Sequence, residues 1–364
     1  MGNYKKKGIL FLVVVWGILI SHTTYSSLAF YHYGIEQGLN EPAIIDIEQD
    51  SSGFIWLAGN YSLTRFDGEN FVEFMHTIQR PLPWNKINEI YIDNKGILWI
   101  ASDKGFSFYD IKKNDFESAV GGWEKINVND ISENGKGQLL LATDQGLASY
   151  DKTTRKIVWI TGPKTVFSSN ENLKSAINLS HVENDQNNNV WLSIKAGGLL
   201  LVNTVDGDLK TFQQMDGFAL NKLQVNHHAI KNGKLLLATL HHGLLELDVT
   251  NQKITQFKLD VNFIPMHFQI ASDSVIWLAT DNGLVNLNPH TKEFIRYTNI
   301  PIDPYSMTRT AVSHVLVDTN NNLWVSNVFR GIDFGLNNII FNHMMYSEES
   351  SYTVAETEVT SINN

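Results

Sequence analysis

A chain of 364 residues, 43% of them hydrophobic, is long enough to bury a large core. It has no Cys, which excludes disulfides, thiolate nucleophiles and Cys-ligated zinc. With 28 basic residues against 38 acidic ones its formal charge is −10, the wrong sign for non-specific binding to phosphate backbones, so nucleic acid is not an expected partner.

The N-terminus reads as an export signal over residues 1–29. Lys5, Lys6 and Lys7 form a positive start, Ile9 to Ile20 an apolar run, and Ser27-Leu28-Ala29 a small-residue cleavage site. Cleavage there would begin the mature chain at Phe30. The apolar run spans 12 residues, short against the roughly 20 that a membrane-spanning helix needs. An uncleaved anchor is the alternative, and either reading puts the rest of the chain outside the cytoplasmic membrane.

One unit then recurs seven times: an apolar strand with Trp or Leu, a small residue, a polar turn and a second strand, usually opened by Gly. The copies begin at Trp56, Trp99, Leu140, Trp191, Leu236, Trp277 and Trp324, spaced 43, 41, 51, 45, 41 and 47 residues apart. That period matches a four-stranded propeller blade and exceeds that of leucine-rich repeats. Val, Ile, Thr and aromatic residues dominate the short runs, and helical stripes are nearly absent after residue 30. The predicted fold is all-β, a seven-bladed β-propeller with four-stranded blades spanning residues 30–337. Residues 30–33 form an outer strand without a blade of their own and are expected to close the last blade.

Within each blade the first strand, strand a, ends at Asp50, Asp93, Asn134, Asp185 or Asp318, six residues before the Trp or Leu. These acids tempt a calcium reading, but an EF-hand ladder with its final Glu is missing, and Asp and Asn are the natural residues of a tight turn. The Trp itself reads as a wedge between blades, since Leu140 and Leu236 replace it. Gly105, Gly146, Gly243 and Gly283 read as positive-φ residues of the next hairpin, with Ser62 the exception in the first blade.

Gln49 to Phe71, Trp277 to Tyr297 and the linker Asn299 to Met307 resemble the two-component-regulator propeller repeat. That resemblance implies the periplasmic sensor half of a hybrid histidine kinase or diguanylate cyclase. Members commonly carry two propellers, a β-sandwich, a membrane helix and a cytoplasmic output domain. Phe341 to Met345 repeats the style of Phe30 to Tyr33, and Val359 to Ile362 resembles another strand a. Residues 338–364 are therefore expected to begin a second, truncated propeller.

The candidate site is a recurring polar position near the start of strand a: Asp46, Glu89, Asp130, His181, His227, His267 and His314. Strand a lies innermost in a propeller, so these side chains should ring the mouth of the central channel. Loops and hairpins on that face carry Trp84, Trp123, Phe167, Tyr305, Tyr61, His241, His242, Phe329 and Arg330. Carboxylates, imidazoles and aromatic rings around a concave mouth suit a small polar ligand such as an oligosaccharide. Four His in adjacent blades raise a metal reading, but a channel mouth is wide against a zinc–nitrogen distance of about 2 Å. No metal and no cofactor are expected. No nucleophile elbow, HExxH, P-loop or dinucleotide fingerprint occurs, although two ring carboxyls could meet the spacing of a glycosidase pair. The expected function is a periplasmic sensor module without enzymatic activity of its own. Its expected partners are a small ligand, the remainder of the sensor protein and a second copy. A secreted propeller lyase or glycosidase is the second reading and a protein-interaction scaffold the third.

Overall fold

The computed structural model describes residues 28–75, 82–110, 115–119, 121–162, 177–185, 188–204, 208–259 and 263–336. The predicted leader as far as Ser27, Phe167 and the predicted second propeller from residue 338 lie outside them.

Seven four-stranded antiparallel sheets form the ring. The innermost strands a are Ile44–Gln49, Ile87–Ile92, Val128–Glu133, Leu179–Asn184, Val225–Lys231, Pro265–Ser272 and Val312–Val317. Six blades are continuous in sequence. The seventh is completed by the N-terminal strand Ala29–Tyr33, which pairs antiparallel with Gly331–Leu336, Ala29 opposite Leu336 and Tyr33 opposite Ile332. This closure removes the free edge that an open ring would present. It matches the expected arrangement, one residue earlier than predicted.

The core is seven separate apolar clusters, each between two neighbouring blades. In blade 2, Leu98 and Ile100 face the cluster shared with blade 1, whereas Trp99 and Ala101 face the one shared with blade 3. A strand's side chains alternate between faces, and here both faces are blade interfaces. The second strand of each blade is therefore apolar without a break. Leu140 and Leu236 fill the same wedge position as the Trp residues.

The six-residue spacing between acid and Trp has a direct cause. Asp93 Oδ1 accepts from the N–H groups of Lys95 and Ile97, closing the turn, while Oδ2 accepts from Trp99 Nε1 at 3.0 Å. Asp50 and Trp56 repeat this at 2.9 Å, and Asp318 and Trp324 at 3.1 Å. In blade 3 the Trp is Leu140, no indole needs an acceptor, and Asn134 closes the turn alone. The acids are turn residues, as predicted.

The first-blade exception at Ser62 also resolves. In blades 2, 3 and 6 a hairpin Asp reaches back to the incoming loop, as Asp103 does to the N–H groups of Asn85 and Lys86. In blade 1 the polarity is reversed. Glu41, from the incoming loop, accepts from the N–H groups of Asn60, Tyr61 and Ser62 and from the Ser62 hydroxyl.

Candidate binding site in the central channel

Every strand a carries a register shift at its second residue: between Ile44 and Asp46, Ile87 and Glu89, Val128 and Asp130, Leu179 and His181, Val225 and His227, Pro265 and His267, and Val312 and His314. A bulge bends the strand and re-aims the next side chain. The residue after each bulge is the ring position read from the sequence. All seven ring residues line one central cavity of about 420 Å³.

The ring side chains also hold the blades together. The inward edge of strand a has N–H groups that no further strand covers, and a neighbouring side chain must accept them. Ile90 N–H donates to Asp46 Oδ2 at 2.8 Å, Ile131 N–H to Glu89 Oε2 at 2.7 Å, and Val182 N–H to Asp130 Oδ2 at 2.7 Å. Each bond runs from one blade to the ring residue of the blade before it. Across blades 4 to 7 this pattern loosens. Val315 N–H reaches His267 Nδ1 only at 3.4 Å, and two residues further along strand a Gln269 accepts from Val317 N–H and Glu183 from Ile230 N–H. His181 Nδ1 is buried without a hydrogen-bond partner among the described residues.

The channel is thus divided into two chemical halves. Blades 1 to 3 supply Asp46, Glu48, Glu89 and Asp130, whereas blades 4 to 7 supply His181, His227, His267 and His314. The His267 and His314 rings stack at 3.6 Å, with His227 next at 4.1 Å from His267. Where the halves meet, His314 Nε2 lies 3.1 Å from Asp46 Oδ1. Burial pushes Asp46 up to about 7, and burial with the nearby Asp46 charge pushes Glu48 up to about 8. Glu89 is held well above the usual carboxyl range by burial and by the charge and hydrogen bond of Asp130. Glu183 is raised to about 7, chiefly by burial. On the other side burial lowers His314 to about 3 and holds His227 and His267 well below 6.5. Burial thus favours the neutral form of each partner in the Asp46–His314 contact. Titration near neutral pH belongs to the carboxyls, since stacked, desolvated imidazoles do not take up charge readily.

The loop residues named from the sequence do not join the ring in this cavity. Trp84 is fully buried in the core between blades 1 and 2, edge-on to Phe116 at 4.9 Å. Its assignment as a ligand aromatic is corrected, because the incoming loop tucks this side chain inward as a plug. Trp123 stacks on Trp159 at 5.2 Å. Tyr305 is half-exposed against Tyr31, and Arg330 lines a different groove. Tyr61 and Phe329 are exposed, and His242 stands edge-on to Phe218. His228, beside His227 in sequence, points away from the channel to Ser193 Oγ, 2.8 Å from its Nδ1.

Two sets of channel residues went unpredicted. The bulge residues Asn88, Asn129 and Asn226 donate to the carbonyls of Val128, Leu179 and Pro265 in the following blades. Their recurrence as Asn immediately before a ring residue was a readable signal. Glu48, Glu183 and Gln269 form a deeper tier two residues beyond the ring, in step with strand alternation. Among the described residues no three His, Asp or Glu side chains are placed to hold a metal ion. The imidazoles meet through ring faces and not through converging nitrogens.

Residues 81–104, the second-blade repeat, match the family description "Two component regulator propeller". The chain carries the two-component-regulator propeller repeat. It is similar in fold to the extracellular domains of two putative hybrid two component systems of B. thetaiotaomicron. The first is 22% identical with a TM-score of 0.71, covering 85% of this chain and 42% of that one. The second is 18% identical, also at 0.71, covering 86% and 40%. The chain spans less than half the length of these structures. Streptogramin B lyase is also similar in fold, with 12% identity and a TM-score of 0.62 over 85% of this chain and 98% of that one. At these identities the likeness is one of fold alone. No curated protein matches the chain in sequence.

Proposed function

We propose that this chain is the ligand-sensing propeller of a transmembrane signalling protein, exported by its N-terminal leader and working on the outer side of the membrane. The two-component-regulator repeat in the second blade carries this reading. Its partners are then a small polar ligand such as an oligosaccharide, the remaining domains of the sensor and a second copy, with the output activity residing in another part of the parent protein. The central cavity, about 420 Å³, falls within the range of small-molecule sites. It combines carboxyls that donate when protonated, imidazole nitrogens that accept, and the unpartnered Nδ1 of His181. A folded ring held by inter-blade hydrogen bonds is also suited to signalling. A ligand that competes for those bonds changes how tightly neighbouring blades are tied.

The test is a plug. Met266 sits at a bulge, lines the cavity and is 40% exposed, and its side chain accepts no strong hydrogen bond. Met266→Trp should leave the melting temperature within about 2 °C while abolishing calorimetric binding of whichever defined neutral di- to tetrasaccharide the wild type binds. Retained binding would place the ligand elsewhere. The paired carboxyls Glu89 and Asp130 favour a lyase or glycosidase as the second reading. Product release from a candidate glycan, lost in Glu89→Gln, would establish it.

A further inference from the structure

On the face where strands a begin, a second groove of about 520 Å³ lies between blades 6 and 7. Arg309 and Arg330 both line it, beside Asp281, Asn299, Thr308 and Thr310. Both arginines are exposed, and among the described residues neither guanidinium has an ion pair or a hydrogen bond. The backbone beneath them is held firmly. Buried Asp333 accepts from Thr308 N–H and Thr308 Oγ1, both at 2.7 Å, and lies 2.9 Å from His32 Nδ1. Asn299 Nδ2 donates to Met307 O at 2.7 Å. Val328 N–H donates to Ala311 O, and Gly331 N–H to Pro42 O, so the segments bearing the two arginines are tied on both sides. Asp281, fixed by Ile264 N–H at 2.6 Å, brings one carboxylate to the blade 6 side.

We infer that this groove binds the anionic group of an acidic saccharide. Each free guanidinium presents the planar fork that recognises a carboxylate or sulfate, with hydrogen-bond geometry that Lys does not reproduce, and both stand on a firmly held backbone. Thr308, Thr310 and Asp281 offer partners to sugar hydroxyls. Phe329, immediately before Arg330, is 72% exposed and has a φ of 58°. An aromatic residue held in the left-handed region is a strained arrangement of the kind that clusters at ligand sites, and it adjoins the groove-lining Arg330 in sequence. The groove is separate from the central cavity, so this inference stands or falls apart from the channel reading.

The probes are digalacturonate, its neutral counterpart digalactose, and a sulfated disaccharide, titrated calorimetrically into the wild-type protein. At least one acidic probe should bind ten-fold or more tighter than digalactose, and its affinity should fall as NaCl rises from 50 to 500 mM. Preference for the uronate or for the sulfated sugar identifies which anion the groove takes. Arg309→Ala and Arg330→Ala should each weaken acidic-probe binding about ten-fold without moving the melting temperature, and Arg330→Lys should restore only part of the loss. Met266→Trp, which fills the channel, should leave it unchanged. Equal binding of digalactose, no binding of either acidic probe, or acidic-probe binding that survives the double Arg→Ala variant overturns the inference. Loss in Met266→Trp with no loss in the arginine variants overturns it too, and assigns the acid to the channel.

Discussion

Blades 1 to 3 and blades 4 to 7 occupy equivalent places in one ring yet line the channel with opposite chemistry. The slot is the same: a bulge in strand a, then a side chain turned toward the axis and the next blade's N–H. In the acidic half a carboxylate oxygen meets that N–H at 2.7 to 2.8 Å. In the imidazole half the ring positions are spent on ring stacking, and the bond that His267 makes to a neighbouring N–H is 3.4 Å long. Gln269 and Glu183, a tier deeper, take over. The slot demands an acceptor, and Asp, Glu and neutral His each supply one. The recurring polar position is thus first a structural fastening, and a ligand would have to act through the lone pairs it leaves free.

The largest effect should come from opening the junction between the halves, where His314 meets Asp46 and the seventh blade meets the first. Deleting residues 28–33 removes the outer strand of blade 7. It exposes a sheet edge and takes Phe30 and Tyr33 from two apolar clusters. Loss of cooperative unfolding and aggregation, followed by circular dichroism and light scattering, is the expected outcome. An unchanged melting curve would show that the ring does not depend on its clasp.

Removing single fasteners should separate the halves next. Asp130→Leu strands the N–H of Val182 and should cost about 2 to 3 kcal/mol in denaturant unfolding. Asp130→Asn, which keeps an acceptor, should cost under about 1 kcal/mol. His267→Leu removes a longer and weaker bond and should cost about 1 kcal/mol. Equal costs for the two Leu variants would erase the distinction drawn between the halves. These residues are too buried to behave as tolerant surface positions, unlike the open mouth expected from sequence.

The halves should also tilt stability against pH in opposite directions. Asp46 and Glu48, raised to about 7 and 8, keep protons in the folded chain that an unfolded chain releases near pH 4. Their contribution is present below about pH 4 and is lost as pH rises toward 7 or 8. His314, lowered to about 3, contributes fully above about pH 6.5, and that contribution is lost as pH falls toward 3. Glu48→Gln should therefore shrink the stability lost between pH 5 and 8, on the order of 1 to 2 kcal/mol. His314→Asn should shrink the loss between pH 6 and 4 by a smaller amount. A Glu48→Gln variant with the wild-type slope would contradict the raised carboxyl.

Much of this was legible in the residues themselves. Period, Trp wedges and Asp turns are local signals, set by alternation along a strand and by side chains bonding groups two to six residues away. They determined the blade count, the closing strand and the positions that face the axis. What Asp46 or His267 does there was not legible, because its partner N–H sits 44 or 48 residues away, in a neighbouring blade. Trp84 looked like a ligand aromatic for the same reason: nothing adjacent in the chain shows whether a loop side chain turns outward or into a core. The raised carboxyls, the lowered imidazoles and the separation of the Arg330 groove from the channel exist only once seven blades stand side by side. Burial and Coulomb coupling depend on distance in space, and the sequence by itself records distance along the chain.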